Sequence, residues 1–177
     1  MTWTIVVLAV LALVLWSFYV SWRASRLDRL HNRVEAARTA LDLALVRRAS
    51  AASELASSGQ LDPATSLLLG DAVRRARGAP QAERDLAESD LTRALRATVG
   101  DPDTRKELTA DGGTAELVAE VEDAARRVFI ARKFYNDLAG RTIDARRRPL
   151  VKVLRLYGSA QQPGFFDMDD EISPPEE

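Results

Sequence analysis

From Trp3 to Trp22 the chain runs through twenty uncharged, mostly apolar residues, and only from Arg23 onward do polar residues break the apolar pattern in a helical rhythm. At about 1.5 Å of rise per residue, such a run matches a hydrocarbon core of about 30 Å and predicts a membrane-spanning helix over residues 1–22. Trp3 near one end and Trp16, Tyr19 and Trp22 at the other suit the headgroup levels. Beyond the run, Leu27, Leu30, Val34, Ala37, Leu41 and Ala44 step by three and four, as in a coiled-coil seam. The next seam position is Arg48, which an apolar core is expected to reject. The 3.6-residue helical period instead drifts the stripe onto Leu45, Ala49, Ala52 and Ala56. One helix from the membrane to about Ser58 follows, ended by Gly59.

Asp62-Pro63 reads as a helix start, and the segment to Arg77 is expected to place Leu67, Leu68, Val73 and Ala76 on one side. A third helix is expected from about Gln81 to Thr98, carrying Leu86, Leu91, Ala94 and Leu95. Gly100 to Gly113 reads as loop, with a short turn started by Thr104 and a Glu107 capping box. After a Thr114 cap, Leu117, Val121, Ala124, Val128, Ala131, Tyr135 and Leu138 form the longest amphipathic stripe, running to about Arg147 before Pro149. A short helix from Pro149 to Tyr157 closes at Gly158, and no β alternation occurs. The reading is all-α: an N-terminal transmembrane helix continuing into an elongated antiparallel four-helix bundle. Its domains are an anchor at 1–22, a bundle at 23–158 and an acidic tail at 159–177. The heptad stripes are read as the core of one chain, with self-association into a homo-oligomer as the competing use.

Charge adds direction. Lys+Arg number 25 against 26 Asp+Glu, none of them in the first 22 residues, and the near-neutral total argues against a nucleic-acid binder. With no Cys and a single His, disulfides, thiolate chemistry and two-imidazole sites are excluded, and no cofactor is implied. No Lys or Arg precedes Arg23 and no Ala-x-Ala cleavage pattern follows the span, which favours a retained anchor over a cleaved signal. Arg23, Arg26, Arg29, Arg33 and Arg38 flank one side only, placing the amino terminus outside the plasma membrane and the body in the cytoplasm.

Leu30-His31-Asn32-Arg33-Val34-Glu35-Ala36-Ala37, Leu45-Val46-Arg47-Arg48-Ala49 and Ala131-Arg132-Lys133-Phe134-Tyr135-Asn136-Asp137 resemble the LemA family of bacterial membrane-anchored helical proteins. The last stretch is similar to that family's Ala-Arg-x-x-Tyr-Asn signature, here Ala131, Arg132, Tyr135 and Asn136, and Phe165-Phe166-Asp167 after Gly164 is similar to its closing aromatic-acidic element. The family's Leu-Ile-Pro-Asn-Leu run is replaced by Ser50-Ala51-Ala52-Ser53-Glu54, as in a divergent member. The resemblance implies an outside amino end, a helical cytoplasmic body and no established catalysis.

Among candidate constellations, Asp28-x-x-His31 has the spacing of a di-iron carboxylate–histidine pair, and an enzyme with a bundle metal or carboxylate site there is the alternative function. With one His, the pair reads first as solvated or interfacial. Arg141, Arg146, Arg147, Arg148, Lys152 and Arg155 accompany a single acid, Asp144, and interleave with Leu150, Val151, Val153, Leu154 and Leu156. Were Leu117 to lie near Leu55 in an antiparallel pair, residues 142–148 would fall beside 24–30, and anionic headgroups would neutralise the two arginine groups. From Asp167 onward the acidic, proline-containing tail is expected to be disordered; docking of Phe165-Phe166-Asp167-Met168-Asp169-Asp170 on the bundle or a partner is the alternative. The expected function is a non-catalytic interaction or scaffolding module on anionic lipid at the cytoplasmic membrane face, with unidentified protein partners.

Overall fold

The computed structural model describes residues 2–110, 112–149, 151 and 161–171, with backbone alone at 23, 24 and 27. Among these, five helices and no strand occur: α1 (Thr2–Ser57), α2 (Pro63–Gly78), α3 (Arg84–Val99), α4 (Pro102–Leu108) and α5 (Gly112–Arg147). They form two compact units, one of Met1–Ala36 with Asp137–Phe165, the other of Ala37–Asn136 with Phe166–Glu177. α2, α3 and α4 all belong to the second, while α1 and α5 supply residues to both.

In the first unit, Thr2–Trp22 of α1 is long and apolar enough to cross a membrane, and none of its described residues is buried. Val34, Leu138, Ala139, Thr142 and Val151 are buried, and the Thr142 hydroxyl donates to the Leu138 carbonyl at 2.8 Å. α5 stops two residues before Pro149, where the ring excludes helix at Arg148. Of the short helix expected over Pro149–Tyr157, all but residues 149 and 151 lie outside the described residues.

The second unit is organised by its helix ends. Gly59, at φ +76, takes the left-handed position that ends α1. Asp62 then caps α2, its Oδ1 accepting from the amides of Ala64 at 3.0 Å and Thr65 at 3.1 Å, with Pro63 at the first helical position. Hydrogen bonds from the Thr65 side chain, then from the Thr65 and Ala64 amides, hold the Asp62 carboxyl below the ordinary carboxylate range. The Ser66 hydroxyl donates to the Ala56 carbonyl, satisfying a group that the end of α1 leaves open. The same four-residue device, Asp-Pro-x-Thr, recurs at Asp101-Pro102-Asp103-Thr104 and starts α4, in a stretch expected to be loop. Thr104 is therefore the capped residue and not the cap: its amide and hydroxyl both donate to Asp101 Oδ2, at 2.9 and 2.8 Å.

The core joins Ala49, Ala52, Leu55 and Ala56 of α1, Leu69, Ala72, Val73 and Ala76 of α2, Leu91, Leu95 and Val99 of α3, and Val118, Val121, Ala124 and Ala125 of α5. So many alanines let the helices approach closely. The stripe from Val34 to Ala56 on α1 is buried as expected, whereas α2 and α3 bury faces displaced from the expected ones. Leu67 and Leu68 are 73% and 69% exposed and Leu86 is 64% exposed, because the 3.6-residue period selects Leu69-Ala72-Val73-Ala76 and Glu88-Leu91-Thr92-Leu95 instead. On α5 the stripe runs through Val118 and Ala125, with Leu117 and Ala131 half-buried.

The largest departure is Arg48, which is fully buried. Its Nη2 donates to Glu88 Oε2 at 2.7 Å and to the Glu88 carbonyl at 3.1 Å, and its Nη1 donates to Thr92 Oγ1 at 2.8 Å. The seam accepts an arginine because α3 brings a buried carboxylate and hydroxyl to meet it. Burial pushes the Glu88 carboxyl up and the Arg48 guanidinium down from their ordinary values, each restrained by the other's charge.

Replacing Asp62 with Ala should cost about 1 kcal/mol in denaturant unfolding, whereas Leu68→Ser should change stability by less than about 0.5 kcal/mol. A loss of about 2 kcal/mol or more at Leu68 would mean that it packs in the core after all.

Candidate functional site

Two of the places that gather polar side chains bear on function. In the first unit, Trp22, Arg26, Arg29, Leu30 and Arg33 lie along one face of α1, at spacings of three, four and seven. With Arg141, Asp144, Ala145 and Arg148 from α5 and its end, and with Val151, they line a cavity of about 620 Å³. Five arginines share it with one carboxylate. Arg141 Nε also reaches Asp137 Oδ2 at 2.9 Å, a pair exposed enough for water to screen it.

The cavity brings together Arg26, Arg29, Arg141 and Arg148 of the sequence candidates. Arg146 is half-buried and Arg147 exposed, neither on its wall, and Arg147 lies 4.0 Å from Asp144. Lys152 and the Arg23 side chain lie outside the described residues. Arg33 is a wall residue that the candidate set lacked, and its seven-residue offset from Arg26 was the available signal. Asp28 is exposed, and the half-buried His31 has an Nε2 that meets no hydrogen-bond partner. Among the described residues, no group of three metal-ligating side chains forms.

The second place is a groove between α3 and α5 in the other unit. There the tail, expected to be disordered, lies extended over residues 166–171. Phe166, Met168 and Asp170 are buried and Asp167, Asp169 and Glu171 exposed, the period of a strand. Helix backbones have no free groups to offer such a segment, so side chains take over the pairing. Asn136 Nδ2 donates to the Phe166 carbonyl at 3.0 Å while its Oδ1 accepts from the Phe166 amide at 2.9 Å. The Asp167 amide donates to Asp85 Oδ2, and the Asp169 amide to Ser89 Oγ, both at 3.0 Å.

Charge completes the seat. Arg132 Nε and Nη2 donate to the Asp170 carboxylate at 2.5 and 3.0 Å, and Arg96 Nη2 donates to Asp169 at 2.8 Å. Arg132 and Asn136 of the Ala-Arg-x-x-Tyr-Asn stretch therefore hold the tail, while Tyr135 is buried and Ala131 half-buried. Phe165 stays 60% exposed, its ring over Gly140, where an added Cβ would stand 3.7 Å away. The signal for docking was the alternation of Phe166, Met168 and Asp170, outweighed in the sequence by the acidic composition.

No family model matches this chain, and neither a curated protein nor a solved structure is detectably similar to it.

The hydrogen bond from Arg96 holds the Asp169 carboxyl below its ordinary value. A depressed folded value means this contribution is complete above the unfolded value of about 3.8 and is lost as pH falls through the folded one. Amide exchange at Phe166, Asp167 and Asp169, corrected for intrinsic rates, should lose protection as pH falls below about 3.8 while Leu55 keeps it. Unchanged protection in the tail would show that this pair does not hold it.

Proposed function

We propose that this chain is a single-pass membrane protein, a divergent relative of the LemA family, whose helices form an antiparallel bundle serving as an interaction or scaffolding module on anionic lipid at the cytoplasmic face. The observation that carries the reading is the arginine cavity. It begins at Trp22, the last residue of the apolar stretch, so guanidinium groups from α1 and α5 face the depth at which headgroup phosphates would lie. Each such charge near an anionic surface contributes on the order of 1 kcal/mol, and guanidinium groups match phosphate oxygens bidentately. Arginines after the span and none before it support an outside amino terminus. The resemblance at Ala131-Arg132 and Tyr135-Asn136 supports the same orientation and a non-catalytic role.

Full-length protein in mixed bilayers should select spin-labelled anionic lipid over zwitterionic lipid, and joint replacement of Arg26, Arg29, Arg141 and Arg148 by Glu should lower that selectivity about tenfold at low salt. Equal selectivity in the two proteins would refute the lipid assignment. Since the chain has no cysteine, one added after Glu177 and probed with an impermeant thiol reagent reads the orientation directly.

A further inference from the structure

The contacts that seat the tail divide by kind. Those from Asn136, Asp85 and Ser89 go to main-chain groups of residues 166, 167 and 169, and Arg96 also donates to the Glu171 carbonyl. They would accept any extended segment. Those that read side chains are four: burial of Phe166, burial of Met168, the Arg132–Asp170 pair, whose carboxylate is only 5% exposed, and the more exposed Arg96–Asp169 pair. Backbone pairing for affinity and alternate side chains for choice is the logic of peptide recognition by an added strand.

An apolar core cluster of this unit, drawn from α1, α2, α3 and α5, contains neither Phe166 nor Met168. The groove is also electrostatically complementary to an acid: Arg96 and Arg132 pair with Asp169 and Asp170, whose charges also reach the buried Arg48.

We propose that the α3–α5 groove is a recognition site for extended acidic peptides of the pattern apolar-x-apolar-x-Asp, held shut by residues 166–171 and opened to a partner protein's segment of the same chemistry. A second copy of this chain is the weaker occupant. Its tail offers identical contacts, and a tethered tail competes at a local concentration on the order of millimolar. A partner segment gains only by burying more at the positions of Phe166 and Met168.

The test uses the full chain in detergent with a protease site replacing the exposed Gln161-Gln162, and a fluorescent peptide of residues 164–171, Gly-Phe-Phe-Asp-Met-Asp-Asp-Glu. After cutting, the labelled peptide should exchange into the groove, raise anisotropy and be displaced by unlabelled peptide. Asn136→Ala in the chain, or Lys for Asp170 in the peptide, should weaken binding about tenfold or more with helical circular dichroism unchanged. The uncut chain should take up the peptide only when its own tail carries Asp170→Lys, a second route that needs no cut. The proposal fails if a cut chain that keeps its helicity takes up no peptide, or if release of the tail unfolds the helices. It fails equally if uncut wild-type chain binds as well as cut chain, or if rising concentration converts uncut chain to tail-exchanged dimers.

Discussion

A guanidinium with no access to water fixes how the second unit is put together. Burying the charge of Arg48 is costly unless it is matched in full, and the match comes from one turn of α3, Glu88 to Thr92. Slide α3 by a residue and the carboxylate leaves while the charge stays. Apolar contacts among alanines and leucines tolerate several registers; this pair tolerates one. The cost remains visible at Arg48 Nε, which is buried without a partner. Arg84, whose Nη1 reaches Asp42 at 3.0 Å, repeats the α1–α3 tie nearer the surface.

The groove depends on that register. With Glu88 and Thr92 turned to α1, other positions of the same helix, Asp85, Ser89 and Arg96, are left for the tail, and α5 supplies Arg132 and Asn136. The arginine cavity of the other unit has a different origin. There arginines at helical spacing on α1 and α5 come together with one carboxylate among them, an arrangement that requires an external anion or water to balance it.

Helix existence was legible because its signals are local: Asp62-Pro63 as a start, Gly59 as a stop, Pro149 as a limit. The buried faces were harder. A tally of apolar residues favoured Leu67, Leu68 and Leu86, while the actual faces include Glu88, Thr92 and Arg48, whose burial depends on partners 40 or more residues away in sequence. The Asp101-Pro102 start was legible by analogy with Asp62-Pro63 and was masked by its glycine-rich surroundings. The seat of residues 166–171 is illegible in the sequence for a related reason. Composition reports the mean solubility of a segment, and an Asp whose counter-ion waits on α5 is not solvated like an average one.

Arg48 and Glu88 act as a unit that sets the register of α3 on α1. A double-mutant cycle with Arg48→Met and Glu88→Leu, read by denaturant unfolding of the full chain, addresses this coupling directly. Each single replacement should cost about 3–5 kcal/mol by stranding the other partner, and the double replacement should recover most of that loss. Additive losses would contradict it, since two residues that destabilise independently do not hold one another in place.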